Sequence, residues 1–228
     1  MKTSNKLLIG LFTFVFLAVV GSVFTLKAQY DKIDKNDPFL GYNRHNLKPF
    51  RYLKLRGFPL GYVQIKSDAS YGIMFRQQQF FQKEISSLWK IEGDTLVVEN
   101  AAKVPNNLYD NFFNDSPAFY VTAPALSGIT SIGSSIKVSD WPGGVFNISL
   151  TDAGMFLTKN RFDNLSIKAS SKVYVRIEDR EMIKSARLTM VGATNLTING
   201  EVITRSSGDS MMIVFEKPTD KNSFRLPK

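Results

Sequence analysis

Residues Leu165-Ser-Ile-Lys-Ala-Ser-Ser-Lys-Val-Tyr-Val175 and residues Leu188-Thr-Met-Val-Gly-Ala-Thr-Asn-Leu-Thr-Ile198 follow the same pattern. In each stretch apolar side chains alternate with polar ones, three small residues interrupt the alternation, and the alternation then resumes. A period of two is typical of β-strands, and small residues between two such segments favour a tight corner. Each stretch is therefore predicted to form a strand, a corner and a second strand.

Earlier copies of this unit occur at 146–157 and, in shorter form, at 132–138, and the starts Phe146, Leu165 and Leu188 lie 19 and 23 residues apart. A repeat near 20 residues is typical of solenoids, in which stacked units share one apolar core. Small residues allow successive corners to stack at the strand spacing of about 4.8 Å. The pattern predicts a mainly β fold of the β-helix or β-solenoid type. An antiparallel β-sandwich, whose hairpins can mimic this period, is the alternative.

Short alternating segments begin at Phe50 and continue the β pattern towards the N-terminal side of the repeats. Within Gln77–Trp89 the apolar residues fall at helical spacing, which predicts one short amphipathic helix. Residues 100–118 are predicted to be a loop. Its aromatic residues, Tyr109, Phe112 and Phe113, are expected either to contact a partner or to plug one end of the core.

The N-terminal stretch Leu7–Leu26 carries no charge and is flanked by Lys6 and Lys27. As a helix it would be about 30 Å long, which matches the hydrocarbon thickness of a bilayer. A retained transmembrane anchor is favoured over a cleaved secretory signal, because Leu26 is a poor residue for a cleavage site after Ala28 and the apolar run is long for a signal core.

This reading divides the chain into an anchor or signal at 1–27, a polar connector at 28–48, a β-solenoid domain at 49–218 and a tail at 219–228. Charges flank the apolar stretch on both sides, and they do not fix its orientation. The character of the remaining chain favours an exported location, in the periplasm or at the cell surface, with the membrane contacted through Leu7–Leu26.

The formal net charge is +9, and the chain has no cysteine. The absence of cysteine excludes disulfides, thiol catalysis and Cys-ligated metal sites. The basic residues are scattered and form no run of five or six, so nucleic acid is not an expected partner. The oligomeric state is not predicted.

Three short motifs point to a known family: Leu53-Lys-Leu-Arg-Gly57, Gly93-Asp-Thr-Leu-Val-Val98 and Tyr120-Val-Thr-Ala-Pro124. Together with the repeated units they resemble the "head GIN" domains of auto-transporter adhesins, which are exported or membrane-tethered proteins common in Bacteroidetes. The resemblance covers roughly 50–216 and implies a β-helical solenoid, with adhesion as the role attributed to that family. It implies no catalytic residues. The corners depart from the Ser-Gly-Ala pattern that the family typically shows.

No residue pattern predicts catalysis, a cofactor or a metal ion. The single histidine, His45, lies in the predicted connector, where a general base would be poorly held. The cluster Glu178-Asp179-Arg180-Glu181 mixes carboxylates with one cation between two strands, which is typical of a solvated turn. The Asn/Asp-rich residues at 110–115 lack the spacing of a calcium loop.

One candidate binding surface remains, formed by Lys168, Lys172 and Arg176, with further cations on neighbouring segments. If the units stack, these cations are expected to share a face that binds an acidic glycan or lipopolysaccharide phosphate. The same charges could instead protect strand edges from pairing with other chains.

The sequence thus favours a non-enzymatic, membrane-anchored envelope protein that serves adhesion, surface display or a scaffold. One alternative is an envelope module that binds or cleaves polysaccharide. Another is an accessory subunit that docks onto a larger membrane complex, with an envelope protein as its partner.

Overall fold

The computed structural model describes residues 3–34, 37, 39–57, 61–76, 88–99, 113–114, 116–206 and 210–216, and it divides the chain into two compact units, Met1–Leu40 and Gly41–Lys228. The first unit is built on helix α1, Thr3–Tyr30. Its apolar part, Asn5–Tyr30, is long and apolar enough to cross a membrane. The apolar side chains of this helix are exposed, as lipid-facing residues would be.

The second unit is mainly β, and its strands form one sheet of nine strands and one of eight. The strands are β1 Tyr42–Asn46, β2 Tyr52–Arg56, β3 Tyr62–Ser67, β4 Gly72–Arg76, β5 Trp89–Glu92, β6 Thr95–Glu99, β7 Phe119–Ala123, β8 Gly128–Ile132, β9 Ser135–Ser139, β10 Val145–Thr151, β11 Gly154–Thr158, β12 Phe162–Ser170, β13 Val173–Ile177, β14 Ile183–Val191, β15 Thr194–Ile198, β16 Glu201–Ser206 and β17 Ser210–Glu216.

The strand order is β1-β4-β7-β3-β9-β11-β13-β15-β16 in the nine-stranded sheet and β17-β14-β12-β10-β8-β2-β6-β5 in the eight-stranded sheet. From β8 to β15 consecutive strands alternate between the two sheets, and strands of successive units pair in parallel. Strand β2 lies between β6 and β8 and pairs in parallel with both. In the other sheet β3 lies between β7 and β9 and also pairs in parallel with both. The outermost pairs in both sheets are antiparallel. Both sheets are therefore mixed and open, and the two-sheet arrangement is sandwich-like.

The observed register agrees with the repeat in one place and differs from it in another. Phe146 pairs with Leu165, as the 19-residue spacing predicts. Leu188, however, pairs with Ile167, and Ala186 takes the place opposite Leu165. A shift of two residues keeps every side chain on the same face, because the side-chain period of a strand is two. The apolar pattern alone could not distinguish the two registers.

Stacked corners connect β8 to β9, β10 to β11 and β12 to β13. Gly133, Asp152 and Ser171 occupy them with positive φ angles of 64°, 49° and 68°. Each donates its backbone N–H to a carbonyl of the next unit: to Thr151, Ser170 and Val191, respectively. Glycine and aspartate tolerate this left-handed conformation better than most residues do. Gly133 and Asp152 therefore suit the backbone path of these corners, and Ser171 adopts the same left-handed conformation.

Both sheets contribute side chains to one apolar core. From the eight-stranded sheet Leu165 and Ile167 point inward, and from the nine-stranded sheet Val173 and Val175 do so. The residues between them point away from the core, so each sheet has an inner face and an outer face. The two outer faces carry most of the charged and polar side chains of the strands, together with the outward aromatic ones.

Two predicted boundaries differ from the structure. Trp89 opens strand β5, which pairs with β6 across the turn at Gly93-Asp94, so the predicted helix does not extend through Trp89. Residues 77–87 lie outside the described residues. Strand β1 lies within 28–48, the predicted connector, and pairs with β4. The predicted tail at 219–228 also lies outside the described residues.

Candidate functional site

The outer face of the eight-stranded sheet carries a groove of about 660 Å³. We call it the outer groove. Its lining residues belong to β2, β6, β8, β10 and β12, with one residue from β5. They are Tyr52, Leu53, Lys54, Glu92, Thr95, Val97, Gly128, Ile129, Thr130, Asn147, Ile148, Ser149, Ser166 and Lys168.

The parallel register aligns the polar side chains of the outer groove in a row that runs across the strands. Lys54 pairs with Thr130, Thr130 with Ser149, and Ser149 with Lys168. Adjacent strands are separated by about 4.8 Å, so the Cα atoms of the two lysines are about 14 Å apart. Two cations therefore flank two hydroxyl groups along one straight line.

A second row runs beside the first, two residues earlier in each strand. It consists of Tyr52, Gly128, Asn147 and Ser166. Gly128 is buried at the floor of the groove, and a Cβ atom there would lie 3.0 Å from the carbonyl oxygen of Asn147. The middle of the outer groove is open because small residues stand at these outward positions. Tyr52, which is 44% exposed, stands at one end.

The electrostatic balance of the outer groove is positive. Lys54 and Lys168 have no ion pair among the residues that the structure describes. Among the described residues that line the groove one is a carboxylate, Glu92, whose Oε1 atom lies 2.8 Å from the Nζ atom of Lys90. The hydrogen bond from Lys90 lowers the pKa of Glu92, with Lys54 as a weaker contributor. Arg187 pairs with Ser166 on the adjoining strand and adds an exposed cation beside the groove.

The three cations of the predicted face do not lie together. Lys168 lines the outer groove, and Lys172 is exposed at the corner after β12. Arg176 is on β13, in the other sheet, where it forms a 2.6 Å ion pair with Glu178. The corner between Lys168 and Arg176 carries the chain from one sheet to the other, so outward residues on its two sides lie on opposite faces. This placement corrects the expectation of one shared basic face.

The outer face of the nine-stranded sheet is closed by a cluster of aromatic rings, which we call the outer aromatic cluster: Tyr62, Phe113 and Phe156, with Tyr174 packed against them. The ring of Phe113 lies 5.4 Å from that of Tyr62 and 5.7 Å from that of Phe156. Phe113 was expected to contact a partner or to plug one end of the core. It is instead buried on this outer face, whereas Tyr109 and Phe112 lie outside the described residues.

Two cations pack onto the outer aromatic cluster. The Nζ atom of Lys137 lies 5.7 Å from the ring centre of Tyr62 and 5.1 Å from that of Phe156. The guanidinium of Arg176 lies 4.7 Å from the ring centre of Phe156. Burial of the Lys137 ammonium lowers its pKa, and Glu178 opposes this shift. These cations are held by the fold, unlike those of the outer groove.

Three carboxylates of the β unit, Asp140, Asp152 and Asp163, serve structural contacts. Asp140 pairs with Lys66, and Asp163 pairs with Lys184. Asp152 accepts a 2.7 Å hydrogen bond from the Ser171 hydroxyl at the next corner. His45 lies in strand β1 opposite Ile73, not in a connector. Among the described residues no group of His, Cys, Asp and Glu side chains is arranged to hold a metal ion.

Sequence reasoning missed most of the outer groove, namely Tyr52, Lys54, Thr130 and Ser149. The alternation in β2 is consistent with Lys54 as an outward residue between Leu53 and Leu55. The alignment of Lys54 with Lys168, however, depends on β2 lying beside β8 rather than beside its neighbours in the chain. No local pattern in the sequence carries that information.

No protein-family model and no curated protein sequence matches this chain. One solved structure that is similar to it is described as "Putative lipid binding protein from Parabacteroides distasonis ATCC 8503". The sequence identity is 14%, the match covers 69% of this chain and 74% of that chain, and the TM-score is 0.38. A similarity at this level supports no conclusion about this chain's fold or ligand.

Proposed function

We propose that this protein is a non-enzymatic, membrane-anchored envelope protein that displays its β unit as a binding surface for adhesion. In this proposal helix α1 is the retained anchor and the β unit is exported. The length and apolar composition of Asn5–Tyr30 support the anchor. The head GIN resemblance, which implies an exported solenoid, agrees with this role.

We further propose that the β unit is a solenoid, in which stacked units present their outward side chains in regular rows. The parallel pairs from β8 to β15 support this, because their registers repeat every 19 to 21 residues. Stacked units extend a surface in one direction, and such surfaces suit extended ligands. The insertion of β2 and β3 between later units lengthens the same two sheets.

The observation that carries the non-enzymatic role is the composition of the outer groove. Glycan cleavage commonly needs two carboxyl groups about 5–9.5 Å apart, one of which acts as an acid. Glu92 is the one carboxylate among the described residues that line the groove, and it is ion-paired with Lys90. The remaining polar groups are hydroxyls, an amide and two ammonium groups, which bind ligands without supplying the second acid.

Two measurements on the full chain test this proposal. After alkaline extraction the protein should remain in the membrane fraction. Sequencing of the mature protein should show that its first residue precedes Leu7, so that α1 is retained. Incubation of the purified full chain with acidic and neutral polysaccharides should leave their chain lengths unchanged in mass spectra. Release of the protein after cleavage near Ala28 would disprove the anchor, and shortened products would disprove the non-enzymatic role.

A further inference from the structure

We propose that the outer groove binds a linear acidic polysaccharide, which lies across the strands and places carboxylates against Lys54 and Lys168. The inference rests on the proposed display role and assigns a ligand class to it. The two lysines lie in one row, three strand spacings or about 14 Å apart. An extended ligand with regularly spaced negative charges can reach both.

The groups between the two lysines fit the uncharged part of such a ligand. Thr130 and Ser149 present hydroxyl groups along the same row, and Asn147 and Ser166 lie in the row beside it. A hydroxyl group both donates and accepts hydrogen bonds, and a side-chain amide offers two donors and an acceptor. Sugar hydroxyls need this mixture, and the small side chains leave room for a ring.

Tyr52 supplies an aromatic surface at one end of the outer groove. Its ring is 44% exposed and pairs across the strands with Gly128, where no side chain obstructs it. An exposed tyrosine offers an apolar ring and a polar tip, which suits the C–H face of a sugar and its hydroxyls. The groove thus combines charge, hydrogen bonding and one stacking position.

Other anionic partners fit this surface less well. A membrane surface would call for large apolar side chains beside the cations of the groove. The exposed apolar side chains Met212 and Val214 lie on β17, two strands beyond Lys168, and among the lining residues Tyr52 alone is a large exposed one. Nucleic acid would call for many more phosphate contacts than two lysines can provide. The two lysines, with hydroxyl groups between them, suit a chain that presents carboxylates together with uncharged hydroxyl groups.

The test uses the full chain in nanodiscs of neutral phosphatidylcholine, with an eight-sugar oligogalacturonate as the probe. The fully methyl-esterified form of the same oligomer is the matched ligand without charge. We expect calorimetry to show binding of the acid, no binding of the ester, and weaker binding when NaCl is raised from 50 to 500 mM.

The variants separate the outer groove from general surface charge. Combining Lys54→Met with Lys168→Met should weaken binding at least tenfold, because two charge-assisted hydrogen bonds are lost. Lys172→Met is the matched control, since this exposed lysine lies at a corner outside the groove, and its affinity should stay within twofold. The corresponding Lys54→Arg and Lys168→Arg variants keep the charge and should retain binding. Urea midpoints of all variants show whether they are folded.

Several results would overturn the inference: equal binding of acid and ester, an equal loss with Lys172→Met, or no binding at all. Lysine-dependent binding to phosphatidylserine nanodiscs without binding of the oligogalacturonate would replace the polysaccharide by a lipid headgroup and would also overturn it. Failure of the proposed function is distinguishable, because shortening of the bound oligomer would disprove the non-enzymatic role while leaving the binding site in place.

Discussion

The outer face of the nine-stranded sheet carries the buried outer aromatic cluster with its packed cations, whereas the outer groove on the eight-stranded sheet is open and small polar side chains stand along its rows. Both faces belong to strands of the same stacked units. On β11 the outward residue Phe156 is buried beneath Phe113 and against Lys137. On β10, the preceding strand of the chain, the outward residue Ser149 lines a groove.

This difference shows how a repeated backbone can separate stability from recognition. The inward residues of both sheets form the shared core and therefore serve stability alone. Large outward residues build an additional hydrophobic layer on one side. Small outward residues on the other side leave space and polar groups for a ligand. We therefore expect substitutions on the two outer faces to have different consequences.

The largest effect is expected for Phe156→Ala in the outer aromatic cluster. The ring is almost fully buried and contacts Phe113, Lys137 and Arg176, so its removal leaves a cavity that should cost about 3 kcal/mol of unfolding free energy. Urea denaturation of the full chain in detergent measures this loss. Ser149→Ala on the other outer face is the control and should change stability by no more than about 0.5 kcal/mol. Similar losses for both variants would contradict the comparison.

The sequence predicted the inner faces better than the outer ones. Alternation of apolar residues marked the inward residues of β10, β12 and β14, and the small residues marked the corners at Gly133, Asp152 and Ser171. These features are local, because a strand's period and a corner's φ angle depend on a few neighbouring residues. The expectations of a mainly β unit and an N-terminal apolar helix are confirmed.

The outer surfaces depend on long-range pairing, which local patterns do not encode. Lys168 and Arg176 are eight residues apart in the sequence and lie on opposite sheets, whereas Lys168 and Lys54 are far apart in the sequence and lie in one row. Phe113 stood in a polar loop with no periodicity, so its burial against Tyr62 could not be inferred. Trp89 matched a helical spacing but opens strand β5, whose hairpin partner is β6.

A smaller effect is expected for Phe113→Ala, which removes the ring that covers Phe156 and Tyr62. We expect a loss of about 2 kcal/mol, since Phe113 lies outside the strands and its neighbours can relax into the space. The double variant with Phe156→Ala should lose less than the sum of the single losses, by about 1 kcal/mol, because aromatic pairs contribute beyond their buried area. Additive losses would show that the two rings do not stabilise each other and that the outer aromatic cluster is not one unit.

The smallest effect concerns the pH dependence that Lys137 contributes to stability. Burial lowers the pKa of its ammonium in the folded state, and the charges nearby are Glu178, Arg176, Lys159 and Asp140. The unfolded lysine has a pKa of about 10.4, so between the two pKa values the unfolded state binds more protons. The contribution of Lys137 to the unfolding free energy should therefore rise with pH through this window, up to the unfolded-state pKa.

Lys137→Met should remove that rise, because methionine retains the apolar contacts with Tyr62 and Phe156 but does not titrate. Urea midpoints measured from pH 7.5 to 10.5 for both proteins test this, with Lys168→Met as the control from the open face. The control should keep the slope of the unmodified protein, since it leaves Lys137 and the rings of Tyr62 and Phe156 unchanged. If Lys137→Met also kept the slope of the urea midpoint against pH, burial of the Lys137 ammonium would not contribute to the stability of the folded state. The contrast between a closed and an open outer face would then apply to the aromatic rings alone.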